Sequence, residues 1–201
     1  PVRRFAGPID HQKDTAMTSP QELYQTIQQA MKDKKPEEVI AELEMLVKSY
    51  PDFAIAHNDL GVLYYHVGEK EKAHQYYEKA VQLDSDNTVF QKNLADFYYA
   101  ELGKAEDALR IYVKILEGNP EDVETLLITG HICVSQHRFE DAKVFYQRVL
   151  DLEPANKAAQ ENLAKLNQIE SAPSERMTPE EMYQEIQPLL DNGDPYRAIE
   201  A

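Results

Sequence analysis

Tryptophan is absent from the 201 residues, cysteine occurs once and glycine only 7 times. The lone Cys133 excludes an internal disulfide and fits a reducing compartment. No apolar run approaches the ~20 residues that a membrane-crossing helix requires. No charged segment leading into an apolar one marks a secretory signal. Cations are in deficit: 21 Lys and Arg stand against 36 Asp and Glu, a formal net charge of -15. Such a surface repels phosphate backbones and anionic lipid, so nucleic acid and membrane are not expected partners. A cytoplasmic protein is the expectation. The chain opens on Pro1 and not on Met, so further sequence is expected upstream.

Catalytic signatures are missing as well. There is no Gly-rich phosphate loop, no nucleophile elbow and no Ser/His/Asp order. The histidines at 11, 57, 66, 74, 131 and 137 include no pair at ligand spacing on one helix, so no metal is expected. The run Asp84–Thr88 looks like the start of a calcium loop, yet Val89 replaces the required Gly and Ala95 the bidentate Glu. Cys133 falls at a packing position with no adjacent base, which makes it a buried structural thiol. The many carboxylates are dispersed over helical faces, where a solvated surface explains them. Neither catalysis nor a cofactor is expected.

What the sequence does have is a repeat. Leu60 recurs as Leu94, Thr129 and Leu163, and Gly61 as Ala95, Gly130 and Ala164. Ala73 recurs as Ala108 and Ala142, and Tyr77 as Tyr112 and Tyr146. Each step is 34 residues, or 35 across one residue inserted before Ala108. A period of this length means stacked supersecondary units. Within one unit, Leu60, Leu63, Tyr64 and Val67 form one apolar helical stripe, and Ala73, Tyr76, Tyr77, Ala80 and Val81 another. A polar turn at 69–71 separates them. Gly61 and Gly130 lie inside helices, where each costs roughly 1 kcal/mol relative to Ala. Only close approach of a partner helix accounts for that cost.

The recurring small, aromatic and Pro positions resemble the tetratricopeptide repeat family over about 20–170. The Trp that often opens that motif is replaced by Leu23, His57, Gln91 and Leu126. The resemblance implies an all-α, right-handed superhelical solenoid of antiparallel helix pairs. Four repeats are expected within 18–156, at about 20–53, 54–87, 88–122 and 123–156. Their helices are expected at 20–33 and 36–49, 54–67 and 70–83, 88–101 and 105–117, and 123–136 and 139–151. A polar capping helix at 157–170 and a linker at 171–177 follow, and residues 1–17 form a tail. Residues 178–201 repeat 19–42 at an offset of 159, which is not a multiple of the period. They read either as the start of a second, truncated array or as an extension of the first.

The resemblance also implies a concave surface built from the first helix of each repeat. Carried onto this sequence, its candidates are Tyr24, Asn58, Asp59, Val62, Tyr65, Lys92, Asn93, Asp96, Tyr99, Leu127 and His131. Helical spacing independently sets Asn58, Val62 and Tyr65 on one stripe, distinct from that of Leu60 and Tyr64. Aromatic, aliphatic and amide groups together suit a peptide, although Val62, Tyr65 and Tyr99 would also serve as packing between helices. A carboxylate clamp of the kind some members use on heat-shock chaperones is not built: Val62 stands where an Asn is required, and Glu124 and Ile128 where Lys and Arg are. The leading expectation is a non-catalytic scaffold that binds a peptide or protein segment. Alternatives are a substrate-presenting domain of a larger glycosyltransferase or methyltransferase, or self-assembly into a homo-oligomer through the C-terminal segment.

Overall fold

The computed structural model describes residues 19–171, and all regular structure among them is helical. The expected tail, the linker beyond Ser171 and the proposed second array at 178–201 lie outside the described residues. The helices run α1 Pro20–Ala30, α2 Pro36–Ser49, α3 Ala54–His66, α4 Lys70–Leu83, α5 Thr88–Leu102, α6 Ala105–Gly118, α7 Val123–Ser135, α8 Phe139–Leu152 and α9 Lys157–Ser171. The first expected helix is shorter than the pattern suggests, because Met31–Asp33 tightens into a 3-10 turn. The chain divides into two compact units after Leu83.

Local chemistry explains the boundaries. Ser19 closes a capping box on α1: its Oγ accepts from the Glu22 N–H at 3.2 Å, and Glu22 Oε2 accepts from the Ser19 N–H at 2.9 Å. Asn87 caps α5 and Asp122 caps α7, each accepting backbone N–H groups of the first turn. Asn156 does the same for α9, accepting from the Ala159 N–H at 3.1 Å. These three caps recur at the repeat spacing. The turns inside the helix pairs recur too, with left-handed backbone at Gly68 (φ 82°), Gly103 (φ 62°) and His137 (φ 58°). Glycine suits that geometry; His137 adopts it despite its Cβ.

A second recurring tie sits where the family's Trp often stands. The side chains of His57, Gln91 and Gln160 each bond the carbonyl six residues earlier, at Pro51, Ser85 and Pro154. Each one fastens the start of a helix to the turn that precedes it. Leu126 has no such group, and there Asp122 holds Thr125 through both its N–H and its Oγ1.

In the first unit, α1 to α4, the core is Leu43, Leu46, Ala56, Leu60, Ala73, Tyr77 and Ala80. A Cβ on Gly61 would lie 2.6 Å from Tyr77 Cδ1, which is the close approach that the glycine implied. In the second unit, α5 to α9, Gly130 meets Tyr146 in the same way, at 2.8 Å from Cε1. Ala142, Val149, Ile132 and Cys133 complete that contact. Polar α9 covers the end of the second unit by burying only Ala159 and Leu166 deeply. Burial pushes the Cys133 thiol up to about 11, so it stays protonated and inert at neutral pH.

Candidate functional site

The candidate residues fall on α1 and α3 in the first unit and on α5 and α7 in the second. In the first unit they assemble around one carboxylate. The Tyr24 hydroxyl donates to Asp59 Oδ2 at 2.5 Å and accepts from Gln28 Nε2 at 2.7 Å, and Asn58 Nδ2 lies 3.4 Å from Asp59 Oδ1. Burial raises the Asp59 carboxyl, and the bonds from Tyr24 and Asn58 pull it back only in part. Tyr24 itself is buried, with its ring edge-on to Phe53 at 5.4 Å. Its hydroxyl serves the α1–α3 junction. Asn58 is also buried and Val62 is half-buried, whereas Tyr65 is 37 % exposed at the end of α3. The outward part of this stripe is therefore Val62 and Tyr65.

The second unit has a charged cluster and an aromatic pair. Lys92 Nζ lies 2.5 Å from Glu124 Oε2 and 2.9 Å from Asp122 Oδ2. Burial alone would lower the Lys92 ammonium, but the two carboxylates outweigh it and raise its pKa. Asp96 accepts a short bond from the Tyr112 hydroxyl. Its carboxyl is pushed up to about 6, first by burial and then by Glu124, against the opposing effects of Tyr112 and Lys92. One turn further, Tyr99 and His131 meet edge-to-face with centroids 6.2 Å apart. Asn93 and Leu127 are half-buried beside them in sequence, and Val89 at the start of α5 is 57 % exposed. Glu124 is exposed and bound to Lys92, while Ile128 is buried in the core, so neither position offers a cation.

Periodicity did not reveal Asp122, which is at once the cap of α7 and a partner of Lys92. Its spacing from Asn87 and Asn156 was the available signal. His57 also carries more than a variable position should, because its ring is buried and tied to Pro51.

These features define an all-α solenoid of antiparallel helix pairs, held by small residues set against tyrosines and presenting polar and aromatic stripes on its first helices. Residues 54–87 match the tetratricopeptide repeat, so the chain carries that repeat. It is 30% identical over 129 residues to DnaJ homolog subfamily C member 3 of Gallus gallus, a match covering 62% of this chain and 25% of that protein. The chain thus spans about a quarter of this relative. A tetratricopeptide repeat protein from Parabacteroides merdae superposes with a TM-score of 0.68 at 20% identity, covering 86% of this chain and 66% of that one. The first repeat domain of Spaghetti (RPAP3), bound to the HSP90 peptide SRMEEVD, superposes with a TM-score of 0.53 at 28% identity. That likeness covers 59% of this chain and 94% of the other. No helix among the described residues is long and apolar enough to cross a membrane.

Proposed function

We propose that the chain is a non-catalytic scaffold that holds a peptide or protein segment on the first-helix stripes of its units. The observation that carries this reading is the exposure of Tyr65 at the end of α3, a large ring with area left for contact on a first helix. The Tyr99–His131 pair offers a similar surface in the second unit. Of the polar groups on these stripes, Asn58 is buried and Asp59, Asp96 and Glu124 are hydrogen-bonded within the fold, so the rings are the surface offered to a segment. The peptide held by the related RPAP3 domain supports this class of partner. Glu124 and Ile128 argue against capture of a terminal carboxylate at those positions, since one is an anion and the other an aliphatic core residue.

The test is photo-crosslinking from positions 65 and 99, followed by affinity measurement on the captured partner. A partner crosslinked at either position should bind at least tenfold more weakly to Tyr65→Ala/Tyr99→Ala, with helicity retained by circular dichroism. Unchanged affinity in the double variant would refute the stripes as the binding surface.

A further inference from the structure

Asp96 occupies a repeat position that does not call for a carboxylate. Val62 stands there one period earlier and His131 one period later, so the repeat itself does not require an acid at this point. Its Oδ1 accepts from the Tyr112 hydroxyl of α6. No donor among the described residues meets Oδ2, and Oδ2 is not a buried orphan, so this oxygen opens to the surface. Asp59 in the first unit differs: Tyr24 donates to one of its oxygens, and Asn58 lies 3.4 Å from the other.

The charges around Asp96 do not compensate it. Lys92, one turn before it on α5, is paired with Glu124 and Asp122 and makes no ion pair with Asp96. Burial first, and then Glu124, push the Asp96 carboxyl up to about 6. At neutral pH it is still ionised, so the fold holds an anion with one oxygen lacking a counter-charge. Asn would keep the Tyr112 bond without that charge, and departures from the more stable choice collect at functional sites. Beside this oxygen the second unit sets aromatic surface. Tyr99 lies on the same face of α5 three residues on, a spacing that puts Cβ atoms about 5–6 Å apart. The His131 ring of α7 meets Tyr99 at 89° with centroids 6.2 Å apart. Both residues are half-buried, so part of each reaches the surface.

We propose that Asp96 and the Tyr99–His131 pair form a subsite for an arginine side chain of the partner segment, an assignment that rests on the stripes being the binding surface. The guanidinium donates to Asp96 Oδ2, and its plane or its apolar stem lies on the rings. An acidic side chain would meet both Asp96 and Glu124. A neutral amide bonds Oδ2 but leaves its charge uncompensated in a half-buried place. A lysine ammonium supplies the charge, yet it is more strongly hydrated and has no plane to stack on a ring, so arginine fits better.

The test uses four pools of capped heptapeptides with random flanks, alike except for a central Arg, citrulline, Lys or norleucine. Each is passed over the immobilised full chain at pH 7.5 and about 0.15 M salt, where the general field of the protein is largely screened. The Arg pool should be retained about tenfold or more over the citrulline pool, the effect of a charge-assisted bond. Asp96→Asn should remove most of that preference while raising resistance to urea, so the loss does not come from unfolding. Glu117→Gln, an exposed change of equal charge on α6, should leave the preference unchanged. A preference for Arg that survives Asp96→Asn would overturn the proposal, as would a Lys pool retained as well as the Arg pool. Equal retention of all four pools that Tyr65→Ala/Tyr99→Ala abolishes would overturn the subsite and leave the stripes standing. No retention of any pool, or retention unaltered in that double variant, would refute the stripes and the subsite together.

Discussion

At the scale of single residues, the tightest constraint is the pairing of glycine with tyrosine across the α3–α4 and α7–α8 hairpins. Two effects oppose one another when Gly61 or Gly130 becomes Ala. Helix propensity gains roughly 1 kcal/mol, but the new methyl lies 2.6 Å or 2.8 Å from an aromatic ring that the core holds in place. Overpacking of this kind costs about 1–3 kcal/mol, so each change should destabilise by about 1 kcal/mol net. Gly118 provides the control, because its Cβ would meet nothing within 4 Å. Gly118→Ala should therefore be neutral or stabilise by a few tenths of a kcal/mol. Urea unfolding of the three variants checks this. If all three shift stability in the same direction, the ring contact is not what selects glycine. The close approach was legible in the sequence, because a costly residue recurs at one phase of the period; that a tyrosine ring makes the contact was not. The role of Asp59 was not legible. Its bond to Tyr24 spans 35 residues and depends on side-chain reach, which periodicity does not encode.

At the scale of elements, α5 and α7 are joined by a cluster whose two aspartates respond to pH in opposite senses. Asp122 caps α7 and pairs with Lys92; burial would raise its carboxyl, but Lys92 and Thr125 outweigh this and lower it. A depressed folded-state pKa adds stability that is present above the unfolded value and lost as pH falls through the folded one. Asp96 is raised to about 6 from 3.8, so its charge is a burden on the fold at neutral pH, and stability rises as pH falls from about 6 towards 4. The shift corresponds to about 3 kcal/mol, to order of magnitude. Asp96→Asn keeps an acceptor for Tyr112 and removes the charge. It should stabilise the second unit at pH 7.5 by about 1–3 kcal/mol and flatten the pH dependence between 4 and 6. Asp122→Ala should instead cost about 2 kcal/mol at neutral pH, from a lost cap and a partly buried pair, with the loss fading in acid. Chemical unfolding across that pH range reads both. Equal pH profiles for the two variants would contradict the assignment. The helices themselves were legible from caps, prolines and apolar stripes. The cluster was not, since its members belong to different helices and only the packed structure brings Lys92 to Asp122.

At the scale of the whole molecule, a net charge of -15 sets the field through which a partner approaches, screened over about 10 Å at 0.1 M salt. Ligands of opposite sign are drawn in by such a field and ligands of like sign are held off, changing association rates by about 10-fold or more at low salt. The stripe around Tyr65 in the first unit and the cluster around Asp96 in the second are each polar, aromatic and acidic, so a segment held at either should be neutral or basic. Its association should slow as salt rises, while dissociation, set by the desolvated contacts, changes little. Stopped-flow association of the captured segment across a salt series measures this. An association rate that rises with salt would mean that the segment is acidic and approaches against the field, and would overturn the expectation of a neutral or basic partner.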